Sequence, residues 1–342
     1  KIVTDEQGNA VNIPGSLKAV KAIGWYIDEY GVAQVSMNLT NVAVTPLHVA
    51  FDEVCRVADA RGIRVTGSEL VGLVPLATML DAGRYFLKKQ QRSLGVSEAE
   101  LIRIAVKSLG LDELGVFKPA ERIIEYRLRD TGLKRLVDRS VAGFVDETAS
   151  ESPAPGGGSV AALLGALGAA LGTMVANLSA HKRGWDGRWE EFSDWAVQGQ
   201  ALKDELLGLV DEDTAAFNRV LAAMALPKNT TAEKAARALA MEDANRGAIE
   251  VPFRVMKAAA ATMPLLAAMA ARGNPASASD AGVGALCARS AVLGAWLNVR
   301  TNVAGLKDRA AVAGLLTEGA KLAAEAQVGE VAIQAVVEGK IG

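Results

Sequence analysis

Hydrophobic and polar positions follow two different patterns along the chain, and the change lies before its middle. In the first part, residues 33–41 and 63–74 are predicted strands, rich in β-branched and apolar residues. Residues 45–62 and 75–91 carry apolar residues every three or four positions, which predicts a helix after each strand. Strands that alternate with helices are typical of an α/β subdomain.

The second half has a uniform helical pattern. From about residue 148 to the end, long Ala/Leu-rich segments predict helices and no convincing strand. The expected fold class is α+β multidomain, with an α/β (α+β sandwich) N-terminal subdomain followed by an all-α helical bundle. We expect domains at residues 1–130 and 148–342, joined by a linker at residues 131–147.

The most apolar predicted helix runs from Ser159 to Ala180 and contains no Asp, Glu, Lys or Arg. Its length would suffice for a membrane span. Its apolar residues are mainly Ala and Gly, however, and aromatic belts do not flank both ends, so we expect no membrane partner. The interpretation is a helix enclosed by other helices, in which Gly165, Gly168 and Gly172 let a neighbouring backbone approach.

Three glycines, Gly156, Gly157 and Gly158, precede this helix. The unpaired N–H groups of a helix N-terminus then face no side chains, which suits an anion or the polar edge of a ligand. A flexible cap with Ser159 near the first turn explains the same composition equally well.

A carboxylate lies on the apolar face of the helix predicted within residues 201–228. At 100° per residue, Asp213 falls inside the apolar stripe, whereas Asp211 and Glu212 point away. The stripe consists of Leu206, Val210, Phe217, Val220, Leu221 and Met224. Burial raises the pKa of a carboxyl group, which suits a general acid or base near neutral pH. The structural alternative is that Asp213 caps a neighbouring helix or pairs with a buried Arg or Lys.

A later predicted helix, at about residues 281–306, carries Asn298 and Asn302 four positions apart, so that both amides can face one cleft. A buried Asn can bind the hydrogen-bonding edge of a ligand or tie two helices together. Asp280 precedes this helix and is expected to be its N-cap.

The composition and net charge of the chain limit the classes of partner that we expect. Of 342 residues, 50% are hydrophobic and 22% charged, with a net charge of -2, so nucleic acid is not an expected partner. Cys55 and Cys287 lie too far apart for a local metal site, and we expect a reduced, cytoplasmic protein. Because the chain begins at Lys1 without Met, we interpret it as a fragment or a processed piece.

Basic residues collect after the glycine-rich helix, at Lys182, Arg183 and Arg188, and Lys228 follows the next predicted helix. Most such clusters are solvated surface. Their position next to that helix also suits an acidic small-molecule ligand.

Several long motifs resemble a known family. The segments PAPGGGSVAALLGALGAALGTMV, DEDTAAFNRVLAAMALPKN, GNPASASDAG and LNVRTN, in this order, resemble formiminotetrahydrofolate cyclodeaminases, whose family includes methenyltetrahydrofolate cyclohydrolases of the same fold. The segments GWYIDEYGVAQVSMNLTNVAVTPLHVAFDEVC, VTGSELVGLVPLATMLDAGRYF and PAERIIEY resemble the C-terminal subdomain of glutamate formiminotransferase. The fusion of both is the architecture of bifunctional formiminotransferase-cyclodeaminases, and the resemblance covers nearly the whole chain.

The resemblance implies roles for particular residues. The catalytic Asp of the family matches Asp213, because the pattern Asp-x-x-Ala-Phe is intact. The positions implied to bind folate are Gly156, Gly157, Gly158, Ser159, Lys182, Arg183, Lys228, Asp280, Asn298 and Asn302.

The implied reaction converts 5-formiminotetrahydrofolate to 5,10-methenyltetrahydrofolate and ammonia, with no metal or organic cofactor. The implied partners are a folate in polyglutamylated form and further copies of the chain in a ring-like homo-oligomer. The alternatives are a methenyltetrahydrofolate cyclohydrolase, which would release no ammonia, and a non-catalytic folate-binding fragment.

The first half departs from the transferase pattern. The catalytic His of the family belongs to an N-terminal subdomain that we expect to be missing, so neither His48 nor His181 is assigned that role. His48 is expected either to pack or to line a folate channel. We therefore expect no formimino transfer by this chain, and an exposed apolar patch on the first subdomain.

Overall fold

The computed structural model describes residues 4–11, 15–129, 132, 135–306 and 310–341. It is 69% helical and has a small two-stranded sheet. The chain divides into two compact units. The first comprises Lys1–Gln90 and Ser97–Arg129, and the second comprises Gln91–Val96 and Asp130–Gly342. The coarse expectation of an α+β region followed by a helical region is confirmed.

The first unit contains a β-hairpin and a set of helices. Strands β1 and β2 pair antiparallel, with Val20 opposite Leu39, and the turn between them places Gly31 at a φ of 63°. The elements of this unit are β1 Val20–Ile27, β2 Val32–Leu39, α1 Leu47–Asp59, α2 Leu76–Lys89, α3 Glu98–Leu109, α4 Pro119–Arg122 and α5 Ile124–Leu128. Its core lies between α2 and α3, where a Cβ at Gly83 would lie 2.3 Å from the Leu101 carbonyl oxygen.

The strand predicted at residues 63–74 is wrong. Within that segment only Val74 forms a bridge, to Ile123, and Gly62 and Gly72 adopt φ angles of 70° and 85° that interrupt an extended chain. Conversely, β1 was not predicted. The sheet of the described residues therefore has two strands, which is less than the α/β sandwich that we expected.

The hairpin leaves large apolar side chains exposed, namely Ile23, Trp25, Tyr26 and Val35. The exposed apolar patch expected on the first subdomain stays a prediction, because it depended on a missing subdomain.

The second unit is a bundle built around α7. Its helices are α6 Val141–Thr148, α7 Gly157–Ala180, α8 Trp189–Ala225, α9 Thr231–Ala261, α10 Met263–Arg272, α11 Ala278–Val303 and α12 Ala313–Ile341. Helix α9 begins with a capping box, in which Thr230 and Glu233 satisfy each other's backbone N–H groups. Helix α6 begins inside the expected linker, residues 131–147, and ends at Thr148, and its buried Phe144 packs in the bundle core.

Small residues let the neighbours of α7 pack closely, as predicted. A Cβ at Gly168 would lie 2.9 Å from the Gly284 carbonyl oxygen of α11, and a Cβ at Gly172 would lie 2.9 Å from Leu265 of α10. A Cβ at Gly165 would lie 3.0 Å from Leu206 of α8. Helix α7 therefore runs antiparallel to both α8 and α11 at the centre of the unit.

Three helical segments of the described chain are long and apolar enough to cross a membrane, by length and composition only. They are α7, α9 together with α10, and the segment Pro275–Val303 that contains α11. Of the most apolar window of α7, 61% is buried inside the structure. Burial against other helices thus accounts for most of its apolar surface.

Candidate functional site

The candidate site lies at the N-terminus of α7. Gly156 is the N-cap residue and supplies no side chain to the first turn. Ser159 donates its hydroxyl to Asp213 Oδ2 at 3.0 Å, and its backbone also hydrogen-bonds to that carboxyl group. A Cβ at Gly158 would lie only 2.1 Å from Asp213 Oδ1. The carboxyl group therefore occupies the space that any larger residue at position 158 would need.

Helix α8 delivers Asp213 to this position. Leu206 and Val210 are fully buried against the bundle core, and Asp213 follows them on the same face, level with the first turn of α7. Beyond this point the predicted stripe is confirmed only at Val220, which packs with Ala223 and with Ala244 of α9, whereas Phe217, Leu221 and Met224 are exposed. The physical reason is that α7 begins at Gly157, so the end of α8 has no α7 residue to pack against.

The environment of Asp213 favours its protonated form. Burial raises the pKa of the carboxyl group above its usual range, and the hydrogen bonds from Ser159 offset part of that rise. Within the described residues, no Lys or Arg forms an ion pair with Asp213, whereas Glu212 binds Arg254 at 2.5 Å. A carboxyl group with a raised pKa and with only N–H and hydroxyl partners is suited to proton transfer.

The structural alternative for Asp213 also holds in part. Its carboxyl group accepts hydrogen bonds from Ser159 in the first turn of α7, so it acts as a cap supplied by a neighbouring helix. Capping and proton transfer are compatible, because one oxygen can bind Ser159 while the other faces a reactant.

The two Asn residues of α11 differ in what they contact. A Cβ at Gly157 would lie 3.4 Å from Asn298 Nδ2, so Asn298 lies beside the glycine-rich turn, and its Nδ2 donates to the Gly294 carbonyl oxygen. Asn302 Nδ2 donates to the Ala248 carbonyl oxygen of α9 at 2.6 Å. Asn298 thus remains near the site, and Asn302 ties two helices together.

The basic pair lies far from Asp213 in this chain. Lys182 and Arg183 follow the C-terminus of α7, and the helix between Ser159 and Ala180 is about 30 Å long at 1.5 Å per residue. Lys182 Nζ lies 4.1 Å from the centre of the Trp185 ring. One chain therefore does not bring this pair together with the carboxyl group.

Two further predicted positions also lie away from the glycine-rich turn. Asp280 is in the first turn of α11, whose N-cap is Ser277, so the expected N-cap role is wrong. It lies about 27 Å along α11 from Asn298. Lys228 is exposed in the loop that follows α8. The sequence motifs include both residues, but in one chain neither lies beside the glycine-rich turn.

Sequence reasoning missed residues at both ends of α7. Thr214 contacts Ser159 through its hydroxyl, and its only sequence signal was its place next to Asp213. At the far end of α7, a cavity of about 460 Å³ lies against α8. Its polar lining is formed by Thr173, Asn177, His181, Gln200 and Lys203.

In the first unit, His48 has a packing role. It is buried, its ring stacks on Tyr85 with centroids 4.4 Å apart, and burial lowers its pKa. Tyr85 in turn donates to Asp52 at 2.5 Å. Both cysteines are free, and no cluster of three or more His, Cys, Asp or Glu residues suited to a metal ion occurs among the residues described.

Each of the two units matches a known protein family model. The family model described as formiminotransferase-cyclodeaminase matches residues 140–321, and that of the formiminotransferase domain matches residues 2–129. The expectation of a missing N-terminal subdomain is not borne out by these matches. The expected lack of formimino transfer depended on it and stays a prediction.

Individual relatives agree with the family models. The chain is 41% identical to the formimidoyltransferase-cyclodeaminase of Mus musculus over 304 residues, which are 89% of this chain and 56% of that protein. It is 37% identical to the methenyltetrahydrofolate cyclohydrolase of Methylorubrum extorquens, covering 60% of this chain and 98% of the relative. The chain therefore spans little more than half of the mouse relative.

A solved structure shares the fold of the helical unit. Formiminotetrahydrofolate cyclodeaminase from Thermotoga maritima matches with a TM-score of 0.53 and 26% identity, over 60% of this chain and 98% of that one. The match to residues 140–321 alone covers more than half of the 342 residues. The chain belongs to the formiminotransferase-cyclodeaminase family.

Proposed function

We propose that the helical unit is a formimidoyltetrahydrofolate cyclodeaminase, an ammonia-lyase that converts 5-formiminotetrahydrofolate to 5,10-methenyltetrahydrofolate. The observation that carries the proposal is Asp213, a half-buried carboxyl group with a raised pKa, held at the glycine-rich N-terminus of α7. This arrangement combines a proton-transferring group with exposed N–H groups and little side-chain bulk.

The chemistry requires two proton transfers that one carboxyl group can perform. The formimino group of the substrate reacts in its protonated, cationic form. The 10-nitrogen attacks the formimino carbon, a carbon–nitrogen bond forms, and the π electrons of the C=N bond move to the terminal nitrogen, which becomes the amino group of the adduct. Asp213 accepts the proton that this nitrogen loses. It then returns the proton to the amino group of the tetrahedral adduct, so that the carbon–nitrogen bond breaks and neutral ammonia leaves. The pair of electrons on N5 completes the methenyl bridge, and no external oxidant or reductant is needed.

The glycine-rich turn supplies the polar surroundings of the reacting group. Gly156 and Gly157 leave backbone N–H groups of the first turn unobstructed, and Asn298 lies beside them. We propose that these groups bind the polar edge of the folate, whereas the buried hydroxyl of Ser159 serves Asp213.

The acidic tail of a folate, especially a polyglutamylated one, requires cations. We propose that a second copy of the chain supplies Lys182 and Arg183 to the Asp213 end. Leu167, Met174 and Leu178 form an exposed apolar stripe along α7. Two such stripes packed antiparallel would bring the basic end of one α7 to the glycine-rich end of the other. We propose a homo-oligomer on this ground, and the cytoplasmic location stays a prediction from the sequence.

The second candidate function is hydrolysis of 5,10-methenyltetrahydrofolate. The cyclohydrolase relative, 98% of which is matched, favours it. The formiminotransferase match at residues 2–129 favours the cyclodeaminase, because that domain would deliver the formimino substrate.

An ammonia assay separates the two. Purified chain is incubated with 5-formiminotetrahydrofolate, and ammonia and 5,10-methenyltetrahydrofolate are measured together. Equal amounts of both products are expected. Loss of added 5,10-methenyltetrahydrofolate, with no ammonia from the formimino substrate, would support the cyclohydrolase instead. Tight folate binding without either turnover would support a non-catalytic role.

A further inference from the structure

A chain of two hydroxyl groups leads to the candidate acid/base. Ser159 is fully buried on α7, and its hydroxyl lies 3.0 Å from Asp213 Oδ2 and 3.1 Å from Thr214 Oγ1. Thr214 follows Asp213 on α8. The hydroxyl of Ser159 on α7 therefore links two neighbouring side chains of α8.

The direction of these hydrogen bonds follows from valence. An ionised carboxylate only accepts, so the Ser159 proton points to Asp213 Oδ2. The Ser159 oxygen then has lone pairs but no further proton to give, and Thr214 must donate to it. Hydrogen bonds linked in this way polarise and strengthen one another.

We propose that Thr214 is a positioning residue, which orients the Ser159 hydroxyl so that Asp213 Oδ2 is held by a hydrogen bond and Oδ1 carries the transferred proton. This inference rests on the proposed acid/base function of Asp213. It assigns to Thr214 a role that needs no contact with the substrate.

Among the residues that the structure describes, no charged side chain pairs with Asp213 in competition with this hydroxyl chain. On α8, Asp211 accepts the Leu136 N–H at 2.6 Å and Glu212 binds Arg254 of α9. On α7, Ser159 is the residue that affects the pKa of Asp213, through its side chain and backbone. From α11, the neutral Asn298 lies nearest the turn. Burial raises the pKa of Asp213, and the hydrogen bonds from Ser159 act against that rise, so the hydroxyl chain is the polar contact through which the fold adjusts this carboxyl group.

The test compares Thr214→Val with Thr214→Ser. Valine preserves the shape but removes the donor, so the Ser159 hydroxyl becomes free to rotate and its hydrogen bond to the carboxylate weakens. Because that bond favours the charged form, the acidic limb of the kcat/KM profile should move to higher pH. We expect kcat near neutral pH to fall by about three- to tenfold with KM nearly unchanged, since proton transfer is impaired rather than lost. Thr214→Ser should restore both the profile and kcat.

Thr317→Val serves as the matched control, because Thr317 donates only to the Ala313 carbonyl oxygen of its own helix. It should change neither kcat nor the pH profile, and all three variants should unfold at similar temperatures. An unshifted profile in a folded Thr214→Val enzyme would overturn the inference.

Asp213→Asn, assayed beside these variants, separates the two proposals. An inactive Asp213→Asn together with an unshifted Thr214→Val overturns only the positioning role. An active Asp213→Asn overturns the acid/base function and the positioning role with it.

Discussion

At the residue scale, the proposed function depends on one carboxyl group, Asp213, whose acidic neighbours on the helix bind other partners. Asp211 binds the backbone of Leu136 and Glu212 binds Arg254, while Asp213 faces the glycine-rich turn. Three consecutive acidic residues thus have three different environments, because successive positions on a helix are 100° apart. Asp213 is partly buried, and no ion pair to it occurs among the described residues.

Asp213→Asn should lower the rate of ammonia release by about 100-fold or more, the scale of general acid/base catalysis. The amide can still accept the Ser159 hydrogen bond, so the variant should fold. Glu212→Gln is the control. It removes the exposed ion pair between Glu212, the residue before Asp213, and Arg254, and it should keep activity within about twofold. Near-normal turnover by a folded Asp213→Asn enzyme would contradict the assignment.

Gly158 and Gly156 provide a matched pair in the glycine-rich turn. At Gly158 an added Cβ would lie 2.1 Å from Asp213 Oδ1, whereas at Gly156 nothing lies within 4 Å of it. Gly158→Ala should therefore displace the carboxyl group and lower kcat by at least about tenfold, through misplacement of a reacting group. Gly156→Ala should retain folding and most activity. Equal effects of the two substitutions in the same assay would argue against the close contact.

At the scale of elements, the packing of α7 depends on the absence of side chains at its contacts with α11. An added Cβ at Gly168 would meet the Gly284 carbonyl oxygen at 2.9 Å, and a backbone atom cannot move aside as a flexible side chain can. Gly208 on α8 has nothing within 4 Å of an added Cβ. Glycine is thus required at the first position and is only a weak helix former at the second.

Gly168→Ala should lower the free energy of unfolding by about 1–3 kcal/mol, the usual cost of overpacking. Gly208→Ala should raise it by about 0.5–1 kcal/mol, because alanine restricts the unfolded chain and favours the helix. Denaturant unfolding of both variants beside the parent measures these changes. A stabilised Gly168→Ala protein would show that α7 and α11 are not in the close contact described.

At the scale of the whole molecule, the residues predicted to form one site lie at opposite ends of the helical unit. The glycine-rich turn and Asp213 lie at one end of α7, and Lys182 with Arg183 follows its other end. No single copy of the helical unit joins them. The exposed apolar stripe of α7 offers a surface through which two copies would do so.

Replacing both Leu167 and Leu178 by Asp should convert the proposed oligomer to smaller species and lower activity, because charges would be buried in the packed stripe. Leu239→Asp is the control, since Leu239 is an exposed apolar residue on α9, away from α7. Light scattering coupled to size-exclusion chromatography measures the mass of each protein. A parent chain that is already monomeric and fully active would contradict the proposed association.

The sequence by itself determined much of the helical unit. The uncharged, glycine-rich run predicted α7 and its close neighbours, because glycine in a helix lets a neighbouring helix approach closely. The apolar period placed Asp213 on the inward face of α8, and family motifs identified it as the candidate catalytic residue. These properties are local: each follows from residue spacing within a single helix.

Tertiary structure decided the rest, since it depends on which elements meet. Residues 63–74 have strand-like composition but form no strand, because a strand requires a partner to satisfy its backbone groups. Phe217 is exposed because α7 begins level with Asp213, so that beyond this point α8 packs against α9 through Val220 and Ala223 but has no α7 residue beside it. Ser159 meets Thr214 across 55 positions of sequence, and Lys182 is parted from Asp213 by the length of α7. Contacts between distant segments carry no periodic signal within either segment, so only the folded chain reveals them.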